Sequence, residues 1–178
     1  RTGKLYQWGT ADMYSGKPSG WTPWIGWYED GVPGDWQSNL TGTVKDVWNN
    51  NQGPCPAGWR LPSSAEFGVL CAGRNGMHGW QTGMKYAGVD GYKGAEFFGA
   101  NTDKTNGKGV FFPASGARYY GNGTVSNRGT SGNCWSSTPD PSTSNAGNAY
   151  HLGFRSDYLG PQGSVSRAYG FSVRCVTE

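Results

Sequence analysis

The clearest helix signal in the chain is the stretch GWRLPSSAEFGVLCAG, residues 58–73. Ser63 is a residue type that caps helix N-termini, and Glu66 follows three residues later, so the two form the pattern of a capping box. Gly73 supplies the left-handed conformation on which helices often end. The sequence therefore predicts a helix over residues 64–72.

Two groups of apolar residues are predicted to be buried. Phe67, Leu70 and Cys71 fall on one face of the predicted helix because of their i, i+3, i+4 spacing. Between residues 9 and 48, aromatic residues alternate with Gly and Pro without a helical period, which predicts ordered loops held by buried rings. The rings concerned are those of Trp21, Trp24, Trp27, Tyr28 and Trp36.

The rest of the chain has the pattern of short strands separated by turns. Apolar and aromatic runs broken by glycine predict strands at residues 5–8, 109–112, 117–120, 133–136, 148–155 and 169–176. In the last run apolar residues alternate with polar or small ones, so we expect one continuous strand with one buried face. One helix with several short strands and long loops predicts an α+β fold, in a single domain that spans residues 1–178.

Composition and charge exclude several classes of protein. Gly accounts for 31 of 178 residues without a G-X-Y period, and the many aromatic residues argue against disorder. The net charge is only +3 and the basic residues are scattered, so no nucleic-acid partner is expected. No run approaches the roughly 20 apolar residues of a membrane span. Membrane contact is therefore expected only through an anchor or a fused domain outside this chain.

The cysteines and the start of the chain point to an exported protein. Cys55, Cys71, Cys134 and Cys175 lack the spacing of a zinc site, and their even number favours two disulfides, with three pairings open. Four buried thiols are the alternative. The chain begins at Arg1 without an apolar leader, so we expect a mature or excised domain whose export signal has been removed. The expected location is extracellular or on the cell surface.

Several segments resemble a known family. CPAGWRLP at residues 55–62, WSST at 135–138 and YGFSVRCV at 169–176 look like the paralogous surface domains abundant in Fibrobacter and Bacteroidales proteins, and LYQWG at 5–9 fits the same pattern. That family is similar to C-type-lectin-like folds of the formylglycine-generating-enzyme type, with short helices, small antiparallel sheets and long ordered loops. The resemblance implies that the N- and C-terminal strands pair and that a loop-rich second half presents a ligand face.

The same resemblance implies a pairing of the cysteines. Cys55, before the helix, would bridge to Cys175 in the last strand. This would leave Cys71 to pair with Cys134.

A narrower segment, residues 148–174, resembles the variable region of proteins diversified by retroelements. In those systems, Asn codons of a template are miscopied into codons for almost any residue, while the intervening framework is kept. The framework here would be Leu152, Phe154, Pro161, Arg167, Ala168, Gly170, Phe171 and Val173. The variable, ligand-binding positions would be His151, Gly153, Arg155, Tyr158, Gly160, Gly163, Ser164, Val165, Ser166 and Tyr169, with Tyr150 and Asp157 as further candidates.

Residue usage agrees with this resemblance. Randomising the first two bases of an Asn codon cannot produce Trp, Met, Lys, Glu or Gln. The first four types supply 22 of the first 135 residues, yet none occurs at positions 136–177, where the same rate would give about seven. Gln162 is the one member of the excluded set in that region and would be framework. The alternative is an ordinary Ser/Gly/Asn-rich surface loop.

No catalytic or metal-binding motif accompanies these segments. His78 and His151 are the only histidines, neither belongs to a catalytic motif, and a triad of a Ser with His151 and Asp157 has no specific support. The Glu-Pro-Asn, Gln-Pro-Asp and Trp-Asn-Asp strings of calcium-dependent lectins are absent. We therefore expect no enzyme activity, no metal at the ligand face and no cofactor.

The composition suits a binding protein instead. Tyr, Arg, Ser and Gly at the candidate positions form a mixture typical of paratopes. On the strand at 148–155, Tyr150, Leu152 and Phe154 share one face and could be core, so His151, Arg155, Tyr158 and Tyr169 are the favoured contacts. The predicted function is a surface-displayed domain with a variable face at about residues 136–174 that binds a protein ligand or a receptor on a host or bacterial surface. The alternatives are a fixed adhesin or fimbrial-tip module, an oxidase of the formylglycine-generating type, and a structural pilus or envelope subunit.

Overall fold

The computed structural model describes residues 5–7, 54–71, 84–89, 92–97, 110–142 and 147–178. The elements in chain order are β1 (Tyr6–Gln7), β2 (Trp59–Arg60), α1 (Ser64–Leu70), β3 (Met84–Val89), β4 (Tyr92–Phe97), β5 (Val110–Pro113), β6 (Ala117–Arg118), β7 (Val125–Ser126), β8 (Ser131–Pro139), β9 (Asn148–Arg155), β10 (Tyr158–Ser166), β11 (Gly170–Phe171) and β12 (Val176–Thr177). In these residues the strands form four small antiparallel sheets, ordered β1-β11-β6-β7, β10-β9-β8, β12-β2 and β3-β4-β5. The described residues are thus mostly small antiparallel sheets with one short helix.

Helix α1 begins with the predicted capping box. Ser63 Oγ accepts a hydrogen bond from the Glu66 backbone N–H at 3.2 Å, and the Glu66 carboxylate accepts one from the Ser63 N–H at 2.7 Å. The Arg60 guanidinium, 2.7 Å from Glu66, lowers the pKa of that carboxyl to about 2. Phe67 and Cys71 are buried as predicted, whereas Leu70 is only half-buried. The helix ends at Leu70 with Cys71 as its cap, and the predicted last residue and exit glycine lie outside the described residues.

The sheet β10-β9-β8 contains the segment predicted to be variable. Strand β9 has the predicted bounds and lies between its two neighbours, joined to β10 by the two-residue turn Ser156–Asp157. The sequence did not predict β10, because Gly160, Pro161 and Gly163 are typical of loops. The pairing shifts register between Gly160 and Gly163, which accommodates a proline that has no N–H for the ladder. The segment predicted to be variable therefore lies on a sheet, whereas the resemblance implied a loop-rich region.

The prediction of one continuous strand over residues 169–176 is wrong. Strand β11 pairs with β1 and β6, whereas β12 pairs with β2. Between them, Ser172 forms an isolated bridge with Cys134. The single alternating pattern therefore covers two short strands, β11 and β12, that belong to different sheets. The pairing of Tyr6 with Phe171 agrees with the implied contact between the two ends of the chain.

The other predicted strands are recovered with shifted ends. The prediction at residues 5–8 corresponds to β1, that at 109–112 to β5, that at 117–120 to β6, and that at 133–136 lies inside β8. Strands β2, β3, β4 and β7 were not predicted.

One of the two implied disulfides is present. Cys55 and Cys175 are bonded across a sequence separation of 120 residues. The implied pairing of Cys71 with Cys134 is wrong, because both are free thiols buried in one apolar cluster with Phe67, Phe154 and other core residues. Burial raises the pKa of each thiol to about 12. These cysteines act as small apolar core residues, while the bridge that is present is typical of proteins from oxidising compartments.

Two apolar clusters hold the described elements together. The first packs α1 against β4, β5, β8, β9 and β10, with Phe97 in edge-to-face contact with Phe112 and Phe154 at ring-centroid distances of 5.3 and 5.5 Å. The second is centred on Trp135, whose ring is tilted against that of Phe171 at a centroid distance of 4.4 Å and whose indole N–H donates to the Tyr6 carbonyl at 2.7 Å.

Several predictions cannot be compared with the structure. The predicted buried rings of Trp21, Trp24, Trp27, Tyr28 and Trp36, together with His78, lie outside the described residues. Within the described part of the chain, no helix has the length and apolar character needed to cross a membrane.

Candidate functional site

A cavity of about 640 Å³ opens between the hairpin β6–β7 and the hairpin β9–β10. Its volume lies within the range of roughly 300–1,000 Å³ that small-molecule and side-chain binding sites occupy. One side, here called the hairpin wall, consists of Ala117, Tyr119, Ser126, Asn127, Thr130, Ser131 and Asn133. The other side, here called the C-terminal wall, consists of His151, Gly153, Phe154, Arg155, Ser156, Tyr158, Val165, Tyr169 and Phe171.

His151 forms part of the floor of this cavity. The sequence places it opposite the core face of β9, yet it is only 8% exposed, since its ring packs on Phe171 at 4.9 Å and on Trp135 at 6.0 Å. Both faces of β9 are covered here, so alternation along the strand does not separate core from solvent. Burial lowers the pKa of His151 to about 4, and the ring is therefore neutral at pH 7.

The neutral ring has a defined hydrogen-bonding pattern. Its Nδ1 lies 2.8 Å from the Gly163 carbonyl oxygen, which can only accept, so Nδ1 carries the proton. The other nitrogen, Nε2, then bears a lone pair and lies near Gly153, where an added Cβ would come within 3.1 Å of it. The floor thus offers an acceptor to a ligand, without a charge.

Tyr158 and Arg155 lie at the turn end of the hairpin. The Arg155 guanidinium is 5.6 Å from the Tyr158 ring centroid and forms an ion pair with Asp157, with Nε and Oδ1 2.6 Å apart. Both members of the pair are more than half exposed. The Tyr158 ring lies over Gly160, because a Cβ added at Gly160 would overlap the Tyr158 hydroxyl. The side chains at this end are therefore held by contacts with one another, and the Arg155–Asp157 contact is exposed to water.

Two tyrosines that line the cavity, Tyr119 and Tyr169, form a group with Tyr120, which contacts both; this group is here called the tyrosine cluster. Tyr119 and Tyr120 follow β6, and Tyr169 precedes β11. The ring centroids are 4.4 Å apart for Tyr119 and Tyr120, 5.9 Å for Tyr119 and Tyr169, and 5.1 Å for Tyr120 and Tyr169. Tyr169 also stacks on Phe171 at 5.5 Å, which connects the cluster to the core.

The structure brings half of the candidate variable residues together. Those that line the cavity are His151, Gly153, Arg155, Tyr158, Val165 and Tyr169. Those that do not line it are Tyr150, Asp157, Gly160, Gly163, Ser164 and Ser166. Asp157 nevertheless contacts a lining residue through the Arg155 pair, and the Gly163 carbonyl orients His151. Ser164 and Ser166 point to other partners: Ser164 Oγ donates to Asp140 Oδ2 at 2.5 Å, and Ser166 Oγ accepts from the Ala168 N–H at 3.3 Å.

The sequence analysis missed the hairpin wall. Tyr119 and Tyr120 were interpreted as strand residues, whereas they lie in the turn that follows β6. A usable signal was present in the sequence Tyr-Tyr-Gly-Asn-Gly at residues 119–123, since Gly and Asn favour tight turns. A pair of tyrosines beside such a turn predicts exposed rings.

Histidine and cysteine side chains are held in their neutral forms at pH 7 in the part of the chain that contains the cavity. Its histidine is buried and hydrogen-bonded to a carbonyl, and the two described free thiols are buried with a raised pKa. Among the described residues there is no group of three or more His, Cys, Asp or Glu side chains that could hold a metal ion. What the arrangement can do is hold a ligand against rings, amides and hydroxyls.

A second cavity of about 630 Å³ lies beside α1 and contains none of the candidate variable residues. Its lining is mainly apolar and includes Trp59, Phe67, Leu70 and Phe112. Its lining also includes Glu66, Arg174 and Thr177, but because none of the candidate variable residues lies there, the first cavity is the candidate site.

Comparison with known proteins gives one result about the family. No curated protein and no solved structure matched the chain. A family model did match: the model described as the Fibrobacter succinogenes major domain aligns with residues 1–177. Because that alignment spans nearly the whole sequence, the chain belongs to the Fibrobacter succinogenes major domain family.

Proposed function

We propose that this chain is a non-catalytic, surface-displayed domain that binds protein ligands through the cavity and its surroundings. In this proposal the whole chain is one domain with a C-type-lectin-like fold, and the segment at about residues 136–174 is diversified by a retroelement. Membership of a family that resembles paralogous surface domains and the Cys55–Cys175 disulfide support display outside the cytoplasm.

The observation that carries the proposal is a difference in burial between two sets of residues in one segment. Of the nine proposed framework residues, seven are buried, Val173 is half-buried and Gln162 is exposed. Of the twelve candidate variable residues, only His151, Gly153 and Gly160 are buried. Side chains on the surface can change without altering the core, whereas buried ones cannot. The two sets therefore differ in the way that diversification on a fixed scaffold requires.

The chemistry of the cavity supports a protein ligand. Protein interfaces are enriched in Tyr and Arg and depleted in other charged residues at their centres. Tyr119, Tyr158 and Tyr169 lie around this cavity, and Arg155 is the one permanently charged side chain among its described lining residues. Rings that are already ordered lose little entropy on contact with a ligand.

The oxidase alternative requires a reactive cysteine pair with a low pKa. In the described residues Cys55 and Cys175 are bonded to each other, while Cys71 and Cys134 have raised pKa values. We therefore keep binding as the proposal.

The test of binding is a display library of this protein. Arg155, Asp157, Tyr158, Ser164 and Val165 are randomised together, and the library is selected on purified lysozyme and, separately, on serum albumin. A matched control library is randomised at five exposed positions that do not line the cavity, Ala57, Ala65, Val69, Thr177 and Glu178. We expect folded binders to each target from the first library and none from the second. Equal success or equal failure of the two libraries would refute the assignment of the site.

The test of diversification is the sequence of the same locus in several isolates. We expect substitutions at Arg155, Tyr158 and Val165, with Leu152 and Phe154 unchanged, and a template repeat and a reverse transcriptase gene nearby. A locus with neither feature would indicate a fixed adhesin or fimbrial-tip module.

A further inference from the structure

The turn between β6 and β7 is held by its own hydrogen bonds. The Tyr119 N–H donates to the Thr124 carbonyl and the Gly123 N–H donates to the Tyr119 carbonyl, each at 2.8 Å. From the buried side, Arg118 Nη1 donates to the Gly123 carbonyl at 2.7 Å. Asn122 Oδ1 accepts from the Thr124 N–H at 3.1 Å and from its hydroxyl at 2.8 Å. The backbone that carries Tyr119 and Tyr120 is therefore fixed before any ligand arrives.

The rings on this turn are both exposed and ordered. Tyr119 is 41% and Tyr120 38% exposed, although they contact each other and Tyr169. A hydrogen bond to Tyr120 raises the pKa of Tyr119, so the two hydroxyls also contact each other. Large exposed aromatic side chains in a preordered group have the properties of an interface hot spot.

Tyr119 and Tyr120 lie outside the segment proposed to vary. They precede residue 136, whereas their neighbour Tyr169 lies inside that segment. The cavity is consequently bordered on one side by residues that would stay constant and on the other by residues that would change. A ligand in the cavity would contact both sides, since Tyr119 and Tyr158 line the same space.

The lining chemistry indicates what the constant side contacts. The hairpin wall contributes a ring, hydroxyls and amides, and among the described lining residues no carboxylate faces the cavity. Asn133 is partly engaged, because its Nδ2 donates to the Gly116 carbonyl at 3.2 Å. Such a surface suits an uncharged side chain that packs on rings while its main chain meets amides and hydroxyls.

We propose that Tyr119 and Tyr120 form a constant anchor of the binding site, which holds an uncharged aromatic or aliphatic side chain on a loop of the protein ligand, whatever residues occupy the variable positions. This inference rests on the proposed function and adds to it two residues outside the variable segment. It predicts that binders with different variable residues and different targets share a dependence on the same two tyrosines.

The experiment uses the selected binders to lysozyme and to serum albumin. Tyr119→Ala and Tyr120→Ala are introduced into several binders of each target, and Kd is measured by titration calorimetry. We expect each alanine variant to weaken binding at least about tenfold for both targets, while Tyr119→Phe stays within about threefold. Val69→Ala, at a residue of α1 that is 72% exposed, is the matched control and should leave Kd unchanged.

A second measurement does not depend on the folding of any variant. Hydrogen exchange of the amides of residues 119–124 is followed in each binder with and without its target, and slower exchange with target is expected for both. If the alanine substitutions leave Kd unchanged and the target does not slow exchange at residues 119–124, the anchor is overturned and the proposed function stands. A library that gives no binders would overturn both. Protection of these amides by maltohexaose, but by neither protein target, would assign the tyrosines to a saccharide and also overturn the anchor.

Discussion

Leu152 and Arg155 provide a direct test of the division between framework and variable positions, because they lie three residues apart on the same strand. Leu152 is fully buried in the cluster that contains Phe154, Leu159 and Cys134. Replacing a buried leucine by alanine removes apolar contacts and leaves a cavity, which costs about 2–5 kcal/mol. With a urea m-value of about 2 kcal/mol per molar, Leu152→Ala should lower the unfolding midpoint by about 1–2.5 M.

Arg155→Ala should have a much smaller effect. Its side chain is 53% exposed, and its ion pair with Asp157 is screened by water, so the pair contributes about 0–1 kcal/mol. The contact of the guanidinium with the Tyr158 ring contributes about 0.5 kcal/mol. We therefore expect the midpoint to fall by less than about 0.8 M.

Both variants are measured by urea unfolding, followed by tryptophan fluorescence and by circular dichroism at pH 7. Coincident transitions by the two probes establish that one free energy describes each variant. If Arg155→Ala lowers the free energy of unfolding as much as Leu152→Ala, the assignment of Arg155 to a replaceable surface is wrong.

Three further predictions concern stability. His151 has a pKa of about 4 in the folded protein against 6.5 in the unfolded chain, so its contribution to folding stability is present above pH 6.5 and is lost as the pH falls toward 4. In urea unfolding, the free energy of unfolding should fall by about 2 kcal/mol between pH 7 and pH 5, and this fall should be absent in His151→Gln. Reduction of the Cys55–Cys175 bond, which closes a loop of about 120 residues, should lower the free energy of unfolding by about 3–5 kcal/mol in the same urea assay. Reductant should have no further effect on the double variant Cys55→Ala/Cys175→Ala, and a further fall would reveal another disulfide. Gly94→Ala should lower the free energy of unfolding by about 1–3 kcal/mol, because its Cβ would overlap a backbone carbonyl oxygen of the neighbouring strand. Gly160→Ala should lower it by under about 1 kcal/mol, because the new Cβ meets only the end of a movable tyrosine side chain. Thermal unfolding measures the order of the two variants, and a reversed order would contradict the packing described.

The features that the sequence predicted well are those determined by neighbouring residues. The start of α1 depends on Ser63 and Glu66, which are three residues apart, and the capping box forms as predicted. Strand β9 likewise has the predicted bounds, because its eight residues carry an uninterrupted strand pattern. The Cys55–Cys175 bond was implied by a resemblance, since no local signal specifies which cysteines meet across 120 residues.

The features that were missed depend on partners distant in the sequence. Residues 169–176 carry one alternating pattern, but Phe171 pairs with Tyr6 while Val176 pairs with Arg60, so the segment divides between two sheets. Strand β10 was missed because its glycines and proline indicate a loop, although pairing with β9 stabilises it despite the register shift. The burial of His151 was missed because a central strand with both faces covered does not follow a two-residue alternation.

The contacts within the candidate site predict which of its positions tolerate replacement and which do not. At the turn end of β9–β10, the main-chain ladder and the buried Phe154 and Leu159 hold the backbone, so the side chains of Arg155 and Tyr158 are free to differ without loss of pairing. Deeper in the hairpin this freedom ends. The ring of His151 fills the space in which a Cβ at position 163 would lie, at 2.6 Å from its Cε1, and it donates to the carbonyl of that same residue. A larger side chain at position 163 requires a smaller or differently placed one at position 151, so these two positions must change together. Diversity at the floor is thus constrained by packing, whereas diversity at the turn end is limited mainly by contact with water and ligand.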